Sequence, residues 1–208
     1  MSIINQLTSR TGDKTRNSNK KVAALCLENP ALLKEIAANF DTDDTLLAVD
    51  CAEVCTEVAK EKPELIVPYI SGLIPLLKSK HSFARFETMH SLALTAHLVP
   101  ELVESVLPDL EEMLVKDKSV IVRDHISNTL SGYAAVNAET AGKAFPYLLK
   151  VIEHWQDQHA HQAMRGLHHV YKYHPSAKQQ IAAIAGHYLS SKRAVVRKET
   201  ARLLKILK

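Results

Sequence analysis

Three markers recur along this chain at one interval, and that interval restricts the fold more than any other property of the sequence. Pro63, Pro100 and Pro175 head the similar segments PELIVPYI, PELVESVL and PSAKQQIA. The first two prolines lie 37 residues apart and the third lies two such steps further on. The missing middle copy falls near Asn137 and Ala138, in VNAETAGKAF. Cys55, Leu92, Leu130, Leu167 and Leu204 advance by the same 37 or 38 residues, and so do Ala48, Arg85, Arg123, Ala160 and Arg197. A fixed period of this length is the mark of a repeat array. One such unit cannot bury its apolar face alone, so neighbouring units stack to form a continuous core.

Within each period the apolar residues recur at i, i+3, i+4 and i+7, and strand-like alternation is absent. Two helical stretches are expected per period. The first stretches run over 64–79, 101–116, 138–155 and 176–191, and the second over 82–99, 119–135, 159–174 and 194–207. An earlier pair fits 30–40 and 44–60, and 20–28 reads as a helix capping the array. The expected fold is all-α, a right-handed α-solenoid of about five antiparallel helix pairs. Pro68, Pro75, Pro108 and Pro146 fall inside first helices, where each removes a hydrogen bond and bends the backbone. The expected domain organisation is a polar, flexible tail over 1–18 followed by a single repeat domain over 19–208.

Composition narrows the class further. With 46% apolar residues and a net charge of only +3 over 208 residues, the chain has enough apolar surface to fold. Aromatic residues at 5%, with one Trp, argue against a module that works by base stacking. Three cysteines, Cys26, Cys51 and Cys55, do not make a disulfide framework. The absence of a long apolar run or a leader-like N-terminus leads to the expectation of a cytoplasmic protein with reduced thiols and no membrane partner.

A two-helix unit of this length resembles the HEAT-repeat family of armadillo-like α-solenoids. Repeats of that family carry an Asp in the inter-helix turn and an Arg six residues later. Asp117 and Arg123 stand so here. Arg85 and Arg197 keep the Arg, with Ser79 and Ser191 in place of the Asp. Asp43 keeps the Asp with Val49 six residues on, and the copy around Gln158–Ala160 has lost both. The resemblance covers about residues 30–208. It implies that the Asp–Arg pair is structural and links adjacent repeats, and that second helices line a concave surface.

Numbered from the Arg position, the second helices carry small or apolar residues at +4 and +7, which share the core-facing side. The opposite ridge reads Glu53, then Phe86, His90 and His97, then Asp124 and Asn128, then His161, Arg165, His168 and Lys172, and last Lys198, Arg202 and Lys205. These are the expected partner contacts. The ridge changes sign along the chain. Residues 41–64 are rich in Asp and Glu, whereas 161–208 carry ten Lys and Arg residues against Glu199 alone. Arg165, Lys198 and Arg202 are therefore expected to grip an acidic segment of a protein partner. The same stripe would also suit the phosphates of a nucleic acid.

No motif for catalysis or for a cofactor is present. The histidines of 154–187 lack the i, i+4 spacing of a helical zinc site, so no metal is expected. Cys51 and Cys55 are i, i+4 but fall on the core register and read as buried thiols. Trp155 is expected to pack at a seam between repeats. Leu203, Leu204, Ile206 and Leu207 read as an exposed apolar end, which makes an end-to-end homodimer an expected assembly. The function expected from all of this is a non-enzymatic adaptor, with nucleic-acid binding as the alternative.

Overall fold

The computed structural model describes residues 2–208, and among them the ordered structure is entirely helical. The helices are α1 (Thr8–Thr11), α2 (Asn17–Glu28), α3 (Leu33–Ala37), α4 (Thr45–Glu61), α5 (Ile70–Leu73), α6 (Ser82–Thr95), α7 (Pro100–Lys116), α8 (Val120–Ala134), α9 (Ala138–Trp155), α10 (Ala160–Tyr173), α11 (Lys178–His187) and α12 (Ala194–Ile206). The chain divides into two compact units, one ending at Leu98 and the other spanning Val99–Lys208.

In the N-terminal unit the second helices α2, α4 and α6 lie side by side, α4 against both of the others. Their small residues allow close approach: Thr56 Oγ1 bonds Ser91 Oγ at 3.0 Å and accompanies a contact to the Glu87 carbonyl at 3.0 Å. Val22, Cys26, Ile36, Cys51, Val54, Cys55, Met89 and Leu92 fill the interior. All three thiols are free and buried, and burial pushes each of them well above the ordinary thiol range. The first-helix layer is broken here. Residues 63–78 form two 3-10 turns around the four-residue α5, because Pro68 and Pro75 withhold two amide donors and Gly72 between them favours the unfolded chain.

The stretch 1–18 was expected to be a loose tail, and its described part is folded instead. A 3-10 turn over Ile3–Gln6 and helix α1 place Ile3 and Leu7 in the core. Polar groups do the remaining work. The Thr8 amide donates to Asn19 Oδ1 at 2.9 Å and the Ser9 amide to Asp50 Oδ2 at 2.6 Å. Gly12 ends α1 with φ 71, and Asp13 accepts from the amides of Thr15 and Ser18, which turns the chain into α2. Two apolar anchors in a polar segment sufficed because hydrogen bonds to α2 and α4 satisfy its backbone.

In the Val99–Lys208 unit the second helices α8, α10 and α12 are neighbours in that order, with α9 packed on α8 and α10. Here α7 and α9 run unbroken through Pro108 and Pro146, since one proline per helix bends it without ending it. Asn137 and Thr140 form a reciprocal cap at the start of α9. The core register holds for α8 and α10, where Ser127, Leu130, Met164 and Leu167 are buried. In α12 it shifts by one residue: Val196, Thr200, Leu203 and Leu207 point inward, while Ala201 is exposed. The apolar end expected at Leu203–Leu207 is thereby reduced, with Ile206 the clearly exposed side chain at 38%.

Candidate functional site

The repeated Arg fastens the turn of its own repeat. Arg85 Nη1 donates to the carbonyl of Ser79 at 2.8 Å, Arg197 Nη1 to that of Ser191 at 2.6 Å, and Arg123 Nη1 to that of Asp117. The acceptor is the main chain six residues earlier. The side chain at that position has a separate task, accepting from the amide two residues on: Ser79 Oγ from His81, Asp117 Oδ1 from Ser119, Ser191 Oγ from Arg193. Asp and Ser do this equally well. Each of these arginines thus closes its own turn through the main chain, and Arg123 also reaches the following repeat at His159. In the copy that lost the pair, Arg193 donates to the carbonyls of Asp157 and Gln158, and Gln156 turns the chain with φ 43.

The ridge of the N-terminal unit differs from its expectation. Glu53 is buried among charges. Asp50, Glu53 and Glu87 are each at most 5% exposed. Asn19 Nδ2 donates to Asp50 at 2.8 Å and to Glu53 at 2.7 Å. Arg16, itself at φ 61, reaches Glu53 at 3.1 Å and Glu87 at 3.6 Å, with its guanidinium 4.6 Å from the Phe83 ring centre. Burial pushes the Glu87 carboxyl up to about 7, and repulsion from Glu53 adds to the shift against the pull of Arg16. Burial also raises Glu53, opposed by Asn19 and Arg16. Phe86 and His90 are half-buried and form an aromatic row with Phe83, at 6.5 and 5.7 Å between successive rings, and His97 is exposed. The sequence reading missed Phe83 and Arg16. Phe83 lies two residues before the Arg marker, outside the ridge positions, and Arg16 lies in the segment expected to be loose.

In the Val99–Lys208 unit, Asp124 and Asn128 of α8 are half-buried, as are His161 and His168 of α10, while Arg165, Lys172, Lys198, Arg202 and Lys205 are exposed. Asp124 is held rigidly: its Oδ1 accepts from His159 Nδ1 at 2.6 Å and from Gln162 Nε2 at 2.6 Å. Burial alone would raise its carboxyl, but these bonds outweigh that and hold it below the usual range. His159 is fully buried and its Nε2 accepts from Arg123 Nε at 3.3 Å, so the ring proton sits on Nδ1. The nitrogen a general base would use is thus already occupied. Trp155 packs beneath Arg123, ring centre to guanidinium 3.7 Å, and donates to the Leu114 carbonyl at 2.8 Å.

The cations separate into two sets. Lys143 pairs with Glu104 and Glu139, Lys150 with Glu111, and Arg165 with Glu199 at 3.4 Å. Lys172, Lys198, Arg202 and Lys205 make no ion pair among the described residues. Between α10 and α12 a cleft is lined by Arg165, His168, His169, Arg202 and Glu199, with Ser131 of α8 at its edge. Among the described residues no cluster of three metal-ligating side chains occurs, and no helix is long and apolar enough to cross a membrane.

These features define an armadillo/HEAT-type helical-repeat solenoid. The chain is similar to a designed armadillo repeat protein solved in complex with the peptide (KR)4, at 16% identity and a TM-score of 0.77, covering 99% of this chain and 98% of that one. It is also similar to computationally designed armadillo repeat proteins for modular peptide recognition, at 16% identity and a TM-score of 0.76, again over 99% and 98%. An engineered protein from a structural genomics programme matches at 18% identity and a TM-score of 0.72, over 99% and 94%. No protein-family model matches the chain, and comparison with curated protein sequences yields no match.

Proposed function

We propose that the protein is a non-enzymatic scaffold whose Val99–Lys208 unit holds an acidic segment of a protein partner along the ridge of α10 and α12. The observation that carries this reading is the set of four cations without ion pairs, Lys172, Lys198, Arg202 and Lys205, in a protein that pairs most of its other ridge charges. Unpaired Arg and Lys on adjacent helices cost little when solvated and give strong, directional contacts to carboxylates. The complex of a similar designed armadillo repeat protein with the basic peptide (KR)4 supports peptide binding by such a fold; the cationic ridge here suits an acidic peptide instead. Asp124, a fixed negative charge on the same unit, favours a protein partner over the uniform phosphates of a nucleic acid.

The test is affinity capture from native lysate with and without nuclease, beside a variant with Arg165, His168, Lys198 and Arg202 all changed to Ala. A protein that survives nuclease and is lost with the variant is the expected result. Capture that disappears with nuclease would replace this reading by phosphate binding.

A further inference from the structure

Of the four unpaired cations Arg202 lines the α10–α12 cleft, and it is not the cleft's only polar group. His168 and His169 stand in it with their rings stacked, centres 5.4 Å apart and planes 13° from parallel. Two adjacent imidazoles in face-to-face contact cannot both carry charge without strong repulsion. The charged groups around them are Lys172 and the Arg165–Glu199 pair on or beside α10, and Arg202 from α12. Asp124 of α8 acts on His161, one face position before His168. Among the described residues no charged group of α8, α9 or α11 lines the cleft. The lysines of α9 are turned to Glu104, Glu111 and Glu139.

We propose that this cleft is a proton-linked carboxylate site, in which an acidic side chain of the partner enters beside Arg202 and draws one proton onto the stacked pair His168–His169. The inference rests on the acidic-partner reading above and adds its regulation. In the empty cleft, burial disfavours the charged imidazole, and Arg202 and Lys172 disfavour it further; both histidines lie below the ordinary His range. A carboxylate placed against Arg202 cancels that repulsion and supplies an acceptor for an imidazolium N–H. By linkage, whatever raises the proton affinity of the pair on binding is itself bound more tightly as pH falls.

The probe is a fluorescein-labelled octapeptide of alternating Asp and Glu, whose carboxylates stay ionised over the range used. Anisotropy titrations at pH 8 and pH 5.5 compare the intact protein, the His168→Gln/His169→Gln variant and the Lys198→Ala/Arg202→Ala variant. One proton gained with a shift of about one unit gives about fivefold tighter binding at the lower pH in the intact protein. The histidine variant is expected to bind with no more than a small residual dependence. Imidazole titration by NMR, with and without peptide, reads the same shift directly and does not depend on a variant folding. Equal affinity at both pH values, or a dependence retained in the histidine variant, overturns the proton linkage and leaves the acidic-partner reading standing. No binding at either pH, or binding unaffected by Lys198→Ala/Arg202→Ala, overturns both.

Discussion

The two units use charge in opposite ways. In the unit ending at Leu98, three carboxylates are taken out of water and answered by the Arg16 guanidinium, the Asn19 side-chain amide and the Ser9 main-chain amide. In the Val99–Lys208 unit, four ridge cations are left exposed without a carboxylate partner among the described residues. A charge that is buried and clasped contributes to the fold. A charge left solvated is free to be recognised. The sign change legible along the sequence thus separates a structural use of charge from one available to a partner.

The sharpest way to break this comparison is through Arg123 and Arg16, which hold the buried polar groups. Arg123→Ala removes the contacts to the Asp117 carbonyl, to His159 and to the Trp155 face at once, and is expected to cost about 3 kcal/mol by chemical denaturation. Arg16→Ala leaves Glu53 and Glu87 without their cation and is expected to cost about 2 kcal/mol, read by amide exchange in α2 and α4. A loss below about 0.5 kcal/mol for Arg16 would mean that the acidic cluster is satisfied without it.

The pH response should have opposite signs. Glu87 and Glu53 have raised carboxyls, so their contribution is complete below the ordinary Glu range and is lost as pH rises, for Glu87 through about 7. Glu87→Gln is expected to stabilise the N-terminal unit at pH 8 by about 1 kcal/mol and to change little at pH 4.5. His161, His168 and His169 are lowered, so their contribution is complete above the ordinary His range and is lost as pH falls below about 6.5. Amide exchange at pH 5.5 and pH 8, reported by unit, separates the two trends. The smallest effect is expected at the solvated ridge: Lys198→Ala or Arg202→Ala should change stability by less than about 0.5 kcal/mol.

Much of the fold could be read from periodicity. The helix pairs, the core positions of α4, α6, α8 and α10 and the buried thiols all follow from spacing, because burial imposes its period directly on the apolar residues. What escaped had other causes. The 1–18 stretch folds through hydrogen bonds to Asn19 and Asp50, which leave no apolar pattern. Glu53 was placed on the ridge by its spacing, yet a cation supplied from outside the period covers it. The α12 register moved by one residue because Val196, Leu203 and Leu207 offer a better apolar face than the positions inherited from earlier copies.

The arginine fastening of the turns has a consequence for how such a chain can change over time. Its acceptor is a carbonyl that every amino acid carries, so half of the joint is immune to mutation of the side chain it belongs to. Copies of one ancestral module can drift at Ser79, Asp117 and Ser191 and still close in the same way. When one copy loses its own arginine, as at Ala160, an arginine of the following segment can fasten that turn through other carbonyls, those of Asp157 and Gln158. Divergence of letters without divergence of shape is what such a joint permits.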